Sequence, residues 1–375
     1  MNRDALPWIL SARFDGIFIL APAILVSFIA IVFSDPISQL NELPSWLWLV
    51  LIVGIDAGHV YSTLFRTYLV RDELQHRQAL LTLTPIVAWT VGCLLYSIDN
   101  LLFWRVMAYL ALFHFIRQQY GFMMIYGRNE LDLPDYYKKI DKAAIYLATL
   151  YPVIYWHCHE RAFNWFVDED FIQIRSTPLN TLVAGLYLVI LMLYAIKEFV
   201  MWQKMNFFNL PRNLFLFGTA LSWYVGIVAF NNDLIFTATN IIAHGIPYYA
   251  LIWAYGYKQA LRTKTTTQFI EPWINKLFSR KAVLLYISLL FALAYIEEGF
   301  WDGLIWKERH QLFFLFKSLP TINSSQTLAW LVPLLALPQI THYLLDAFIW
   351  RLHRTDTDWK KILFHQKVDR PINTE

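Results

Sequence analysis

Charge is scarce in this chain. Asp, Glu, Lys and Arg make up 16% of its 375 residues, well below the share in ordinary soluble domains, and that deficit excludes an ordinary water-soluble fold. Cysteine is scarcer still: Cys93 falls in an apolar block and Cys158 in a polar one, so there is no disulfide framework. The basic residues are scattered between apolar blocks and the net charge is only +3. This leaves no electrostatic footprint for nucleic acid. No glycine-rich phosphate loop follows a strand-like segment, and no internal repeat is found. The stretch Phe33-Ser-Asp-Pro36 after the first apolar run lacks the small-residue pattern of a signal-peptidase site, so that run is expected to stay as a helix.

What is abundant is apolar: 57% of the residues are hydrophobic and 17% aromatic. The expectation is an all-α, polytopic integral membrane protein. A helix needs about 20 apolar residues to cross a hydrocarbon core roughly 30 Å thick. Ten runs of that kind occur, near 15–34, 46–70, 79–98, 101–126, 140–157, 178–202, 211–231, 234–255, 281–297 and 326–350. They read as one transmembrane domain over 1–375, because no polar loop is long enough to enclose a core of its own.

Alternate loops are rich in Lys and Arg (Arg66, Arg71 and Arg77; Arg128, Lys138, Lys139 and Lys142; Lys258 to Lys281), and the others are rich in acids (Asp99; Glu160, Asp168, Glu169 and Asp170; Glu297, Glu298 and Asp302). By the positive-inside rule both termini are expected on the cytoplasmic side, and the expected location is the plasma (inner) membrane. Apolar residues at helical spacing near 267–280, and the aromatic-rich stretch 299–316, predict two amphipathic helices lying on the interface.

Six of the ten histidines lie in loops or at helix ends, whereas His59, His114, His244 and His342 sit inside the second, fourth, eighth and tenth runs. Those four runs cross in the same direction, and each histidine falls roughly 15 to 24 Å from its outer boundary at a rise of 1.5 Å per residue. Polar groups in hydrocarbon need partners, and imidazole is the commonest ligand for zinc, copper and iron. A shared metal ion would satisfy all four, so they are predicted metal ligands.

Asp56 lies three residues before His59, and Asp346 four residues after His342. Each carboxylate thus shares a helix face with its histidine and is expected to orient the ring or to add a ligand. Asn240 precedes His244 by one turn. Arg117 falls within a run away from its ends and is expected to pair with Asp346 or Asp56. Tyr120, Tyr248 and Tyr343 are candidate proton donors or radical-stabilising neighbours. Pro247 beside His244, and Pro333 and Pro338 before His342, predict loosened turns next to two of the ligands. By contrast, His157-Cys158-His159 cannot converge on one ion from a helix, because successive side chains point about 100° apart.

The segment Thr341-His342-Tyr-Leu-Leu-Asp346-Ala-Phe-Ile-Trp-Arg351 resembles the carboxy-terminal motif of the microbial membrane-embedded beta-carotene 15,15'-dioxygenase family (Brp/Blh type). Gly58-His59, Phe113-His114-Phe115, and Ala243-His244 with Tyr248, Trp253 and Lys258 resemble its other histidine motifs, in the same order. Tyr248 stands where that family carries a further histidine. The resemblance implies an iron-dependent oxygenase that cleaves an apolar polyene, with His59, His114 and His244 as iron ligands and His342 as a further candidate.

The functional expectation is therefore a non-haem metal oxygenase, with iron as cofactor, acting on a lipid-soluble, carotenoid-like substrate drawn from the bilayer. Zinc or haem are the alternative cofactors. The competing readings are a b-type haem electron carrier and a proton-coupled transporter using buried His, Asp and Arg.

Overall fold

A computed structural model describes residues 7–40, 43–130, 133–261, 269–350 and 359–364. Among them the chain is all-helical, and its one extended pairing is an isolated antiparallel bridge between Val70 and Phe269. The principal helices are α1 (Ala12–Val32), α2 (Ser45–Arg66), α3 (Gln78–Ile98), α4 (Asn100–Tyr126), α5 (Asp135–Cys158), α6 (Thr177–Met205), α7 (210–229), α8 (Asp233–Leu261), α9 (Arg280–Trp306), α10 (Ser325–Leu335) and α11 (Leu337–Ile349). Polar side chains set several starts. Asp99, Ser176, Asn209 and Ser324 each accept a hydrogen bond from a backbone N–H in the first turn of α4, α6, α7 and α10, donors that the helix itself leaves unused.

Helices occupy all ten predicted stretches, but length and apolarity support fewer crossings. Among the described residues, α1, α2, α3, α6, α8 and α9 are long and apolar enough to cross a membrane, and α10 with α11 makes a seventh if the bent pair is one span. The count of ten is therefore not supported. α4, α5 and α7 are interrupted by residues such as Arg105, Arg117, Gln118 and Gln119, by Asp135, Lys138 and Asp141, and by Arg212 and Asn213. The terminal residues whose sidedness the loop charges predict lie outside the described residues.

α10 and α11 meet at 44° around Ala336. Pro333 and Pro338 each withhold a backbone donor on either side of that point, and the intervening turn opens. α8 is the innermost helix and packs against α1, α2, α4 and α7. α3, α6 and α9 turn much of their surface outward, with Ile98, Leu188 and Leu284 among the exposed apolar side chains. That distribution is the one a bilayer rewards.

Neither predicted interfacial helix forms as such. Residues 267–268 lie outside the described residues, and beyond them the helix covers only Pro272–Leu277. Phe269, Ile274, Leu277 and Phe278 are buried in the main core, so the apolar face meets protein rather than lipid. In the second segment, residues 299–306 simply prolong α9. The chain then turns back so that Phe313 packs against Trp48 and Tyr295.

Candidate metal centre

Four helices bring the histidines together. His59 comes from α2, His114 from α4, His244 from α8 and His342 from α11, and each is at most 2% exposed. The Nε2 atoms of His59 and His244 are 3.1 Å apart, those of His244 and His114 3.2 Å, and those of His114 and His342 3.1 Å. One ligand atom from each of the four lies within 4.8 Å of all the others. Four imidazole nitrogens at zinc-like bond lengths around one ion stand roughly 2.9 Å apart as neighbours in a square and about 3.4 Å apart in a tetrahedron. The group can hold a metal ion.

The outer nitrogens reveal how the rings are set. Nδ1 of His59 lies 3.2 Å from the Ile55 carbonyl oxygen, which can only accept, so that nitrogen carries the proton. The Tyr248 hydroxyl donates to Asp346 Oδ1 at 3.0 Å. Its oxygen then accepts from Thr63 Oγ1 at 3.0 Å, and Thr63 in turn accepts from His342 Nδ1 at 2.6 Å. Asp346 Oδ2 faces His114 Nδ1 at 3.4 Å. The network thus assigns the Nδ1-protonated tautomer to His59, His114 and His342, which leaves three Nε2 lone pairs aimed inward, as a metal requires. His244 is held differently. Its Nδ1 has no hydrogen-bond partner among the described residues, but its ring stacks on Phe115 at a centroid distance of 3.6 Å and an interplanar angle of 5°. Gln118 fixes its backbone by donating to the His244 carbonyl at 2.9 Å.

Local backbone features serve the same end. Residues Leu49–Ala57 of α2 form a π-helix, whose hydrogen bonds close over five residues instead of four, immediately before His59. A side chain at Gly245 would meet Ile55 Cγ2 at 2.6 Å, so α8 approaches α2 as closely as it does only because that position has no Cβ.

The other site residues fall in different places. Asp346 does not touch the histidine of its own helix: it faces His114 across the helix interface, and it reaches His342 only through Tyr248 and Thr63, which takes the place expected for it beside that ring. Asp56 lies 3.9 Å from His59 Nδ1. Tyr248 is in the network, and Tyr343 packs on the His114 ring at 5.0 Å. Asn240 is buried but donates to the Phe236 carbonyl of its own helix. Arg117 is exposed and donates to the Tyr146 hydroxyl at 2.7 Å, so it pairs with neither predicted carboxylate. Tyr120 packs beside it against Tyr146. His157 and His159 each bond to the carbonyl four residues back in α5, with His157 also bound to Tyr109, and they do not converge. Arg351 lies outside the described residues.

The sequence reading missed the role of Thr63. Its signal was its position four residues after His59, on the same helix face. No family model, curated protein or solved structure matches this chain.

Proposed function

We propose that this membrane protein is a non-haem iron oxygenase that cleaves an apolar, lipid-soluble polyene. The observation that carries the reading is the inward convergence of four buried imidazoles, three of them held at the outer nitrogen by protein partners and the fourth, His244, stacked on Phe115. Imidazole-only ligation suits iron, copper, zinc and nickel. The likeness of the four histidine segments to the carotenoid-cleaving dioxygenases favours iron among them. When bound, iron would supply the one-electron chemistry that lets dioxygen react with a carbon–carbon double bond. Both oxygen atoms leave in the two carbonyl products, so no external reductant is consumed.

The chain's own residues would hold and screen that chemistry. His59, His114, His244 and His342 would bind the ion. Asp346 anchors His114 directly and His342 through Tyr248 and Thr63, and the Tyr248 proton is held toward Asp346 Oδ1. Phe115, stacked on His244, and Tyr343, packed on His114, wall the centre with aromatic surface that excludes water and accepts an apolar molecule. Axial ligation of haem is disfavoured. Nitrogens 3.1 to 3.2 Å apart leave no space for a porphyrin between them.

Two measurements on detergent-purified protein test the proposal: metal content of the wild type and of His59→Ala, His114→Ala, His244→Ala and His342→Ala, and oxygen uptake with a carotenoid-like polyene. Bound iron that falls in all four variants, with oxygen uptake matched to aldehyde or ketone product, is the expected result. Metal content unchanged in the four variants would sink the metal reading, and bound iron without oxygen uptake would sink the oxygenase.

A further inference from the structure

Carboxylates gather on α2, the helix of His59, and on α9 packed against it, without a Lys or Arg paired to them among the described residues. Asp56 of α2 lies 3.9 Å from His59 Nδ1 and is 28% exposed. Glu297, Glu298 and Asp302 lie on α9, which packs along α2. Glu298 has Glu297, Asp56 and Asp302 as charged neighbours, and Glu297 has Glu298 and Asp56. Among the described residues no lysine or arginine makes an ion pair with Asp56, Glu297, Glu298 or Asp302.

Glu297 is the decisive residue. It is 6% exposed, and neither carboxylate oxygen makes a well-formed hydrogen bond, with Tyr61 and Trp301 as its polar neighbours. Asp302 is 4% exposed; its Oδ1 accepts from the Arg309 backbone N–H, whereas its Oδ2 has no partner. A buried, unsatisfied carboxylate costs stability. Two of them on one helix, with no Lys or Arg paired to either among the described residues, make sense when a cation occupies or passes the place.

The four carboxylates do not converge as the histidines do, so they do not form a second closed cage. The histidine ligands are neutral and enclosed, and a divalent ion reaching them must leave water in a region of low dielectric, where its cost falls only if anions lie along the way.

Resting on the metal reading above, we infer that Asp302, Glu298, Glu297 and Asp56 form the path by which a divalent metal ion reaches the four-histidine centre. Phe316 seals one flank of that path, packing where a side chain at Gly299 or Gly303 would otherwise stand.

The test uses full-length protein in detergent, stripped with chelator and mixed with Co(II), whose visible absorption reports four-nitrogen ligation. Glu297→Gln should slow loading by about 10-fold or more, the scale of electrostatic steering in a charged cleft. Its final absorption and stoichiometry should match the wild type. Glu160→Gln, in an exposed pair with Arg175 far along the sequence, should load at the wild-type rate. Matching final spectra also establish that the slow variant is folded.

Wild-type loading rates in both Glu297→Gln and the Glu297→Gln/Asp302→Asn double variant would overturn the path and leave the metal centre standing. A lowered final stoichiometry would overturn it too, by making the carboxylates ligands. No cobalt absorption in the wild type would overturn both the path and the metal reading.

Discussion

Oγ1 of Thr63 lies 2.6 Å from Nδ1 of His342, although 279 positions separate them in the chain. That contact closes a hydrogen-bonded path from α2 through α8 to α11, and it is the only partner that His342 Nδ1 makes among the described hydrogen bonds. Thr63→Val preserves shape and removes the hydroxyl. Metal affinity, measured by competition with a chelator, should fall about 10- to 100-fold, the usual cost of losing a partner behind a ligand. Thr63→Ser should restore most of it.

Asp346 and Arg117 make opposite predictions. Asp346 is the acceptor on which two ligands depend, so Asp346→Asn should weaken metal binding about 10- to 100-fold. Arg117 points away to Tyr146, so Arg117→Ala should leave metal content per chain unchanged. Elemental analysis of the two purified variants distinguishes these outcomes. Loss of metal in Arg117→Ala would contradict the placement of its side chain.

Gly245 marks a close approach of α8 to α2 beside the site. Gly245→Val would drive a side chain into Ile55 and push His244 away from His59. Overpacking of this kind costs about 1–3 kcal/mol, so the melting temperature in detergent should drop together with metal content. A variant that melts normally and binds metal normally would refute the close approach.

Stability should depend strongly on a second polar cluster, distinct from the histidines. Arg212 is buried and its guanidinium donates to Glu130, Glu198 and Asp141, with Lys197 bound to Asp141 and Glu198. Arg212→Met strands Glu130 without its ion-pair partner, leaves Asp141 and Glu198 with Lys197 alone, and should cost about 3–5 kcal/mol. Adding Glu130→Gln and Glu198→Gln should recover part of that loss in thermal unfolding.

The histidines were legible because a polar ring inside an apolar run demands a partner, and four in corresponding places demand one another. Their supports were harder to find. Threonine and tyrosine are unremarkable in apolar helices, so only the fold reveals that Thr63 and Tyr248 meet between His342 and Asp346. Arg117 was misread for the opposite reason. Its place in the middle of α4 suggested a buried pair, but the side chain reaches outward over an aromatic surface.

Apolar spacing also tells which face of a helix is covered and not what covers it. Phe269, Ile274 and Phe278 therefore looked like a lipid-facing stripe when they in fact plug the protein's own core. The same ambiguity is why ten apolar runs do not by themselves support ten crossings. The stretches of α4 and α7 are apolar enough to be helices buried among others, without being uniformly apolar enough to face a bilayer.

The wide-turned stretch Leu49–Ala57 has a consequence for chain length. A wide turn takes up more residues than an ordinary one, so deleting a single residue there would let the segment relax to the ordinary helical pitch with Trp48 and His59 keeping about the same phase. Trp48 docks on Phe313 at one end and His59 meets His244 at the other, and a further deletion, with no wide turn left to absorb it, would pull one end out of place. In this part of the molecule, counting matters more than chemistry: most apolar exchanges should be absorbed, and a tract shortened by more than its spare residue should not.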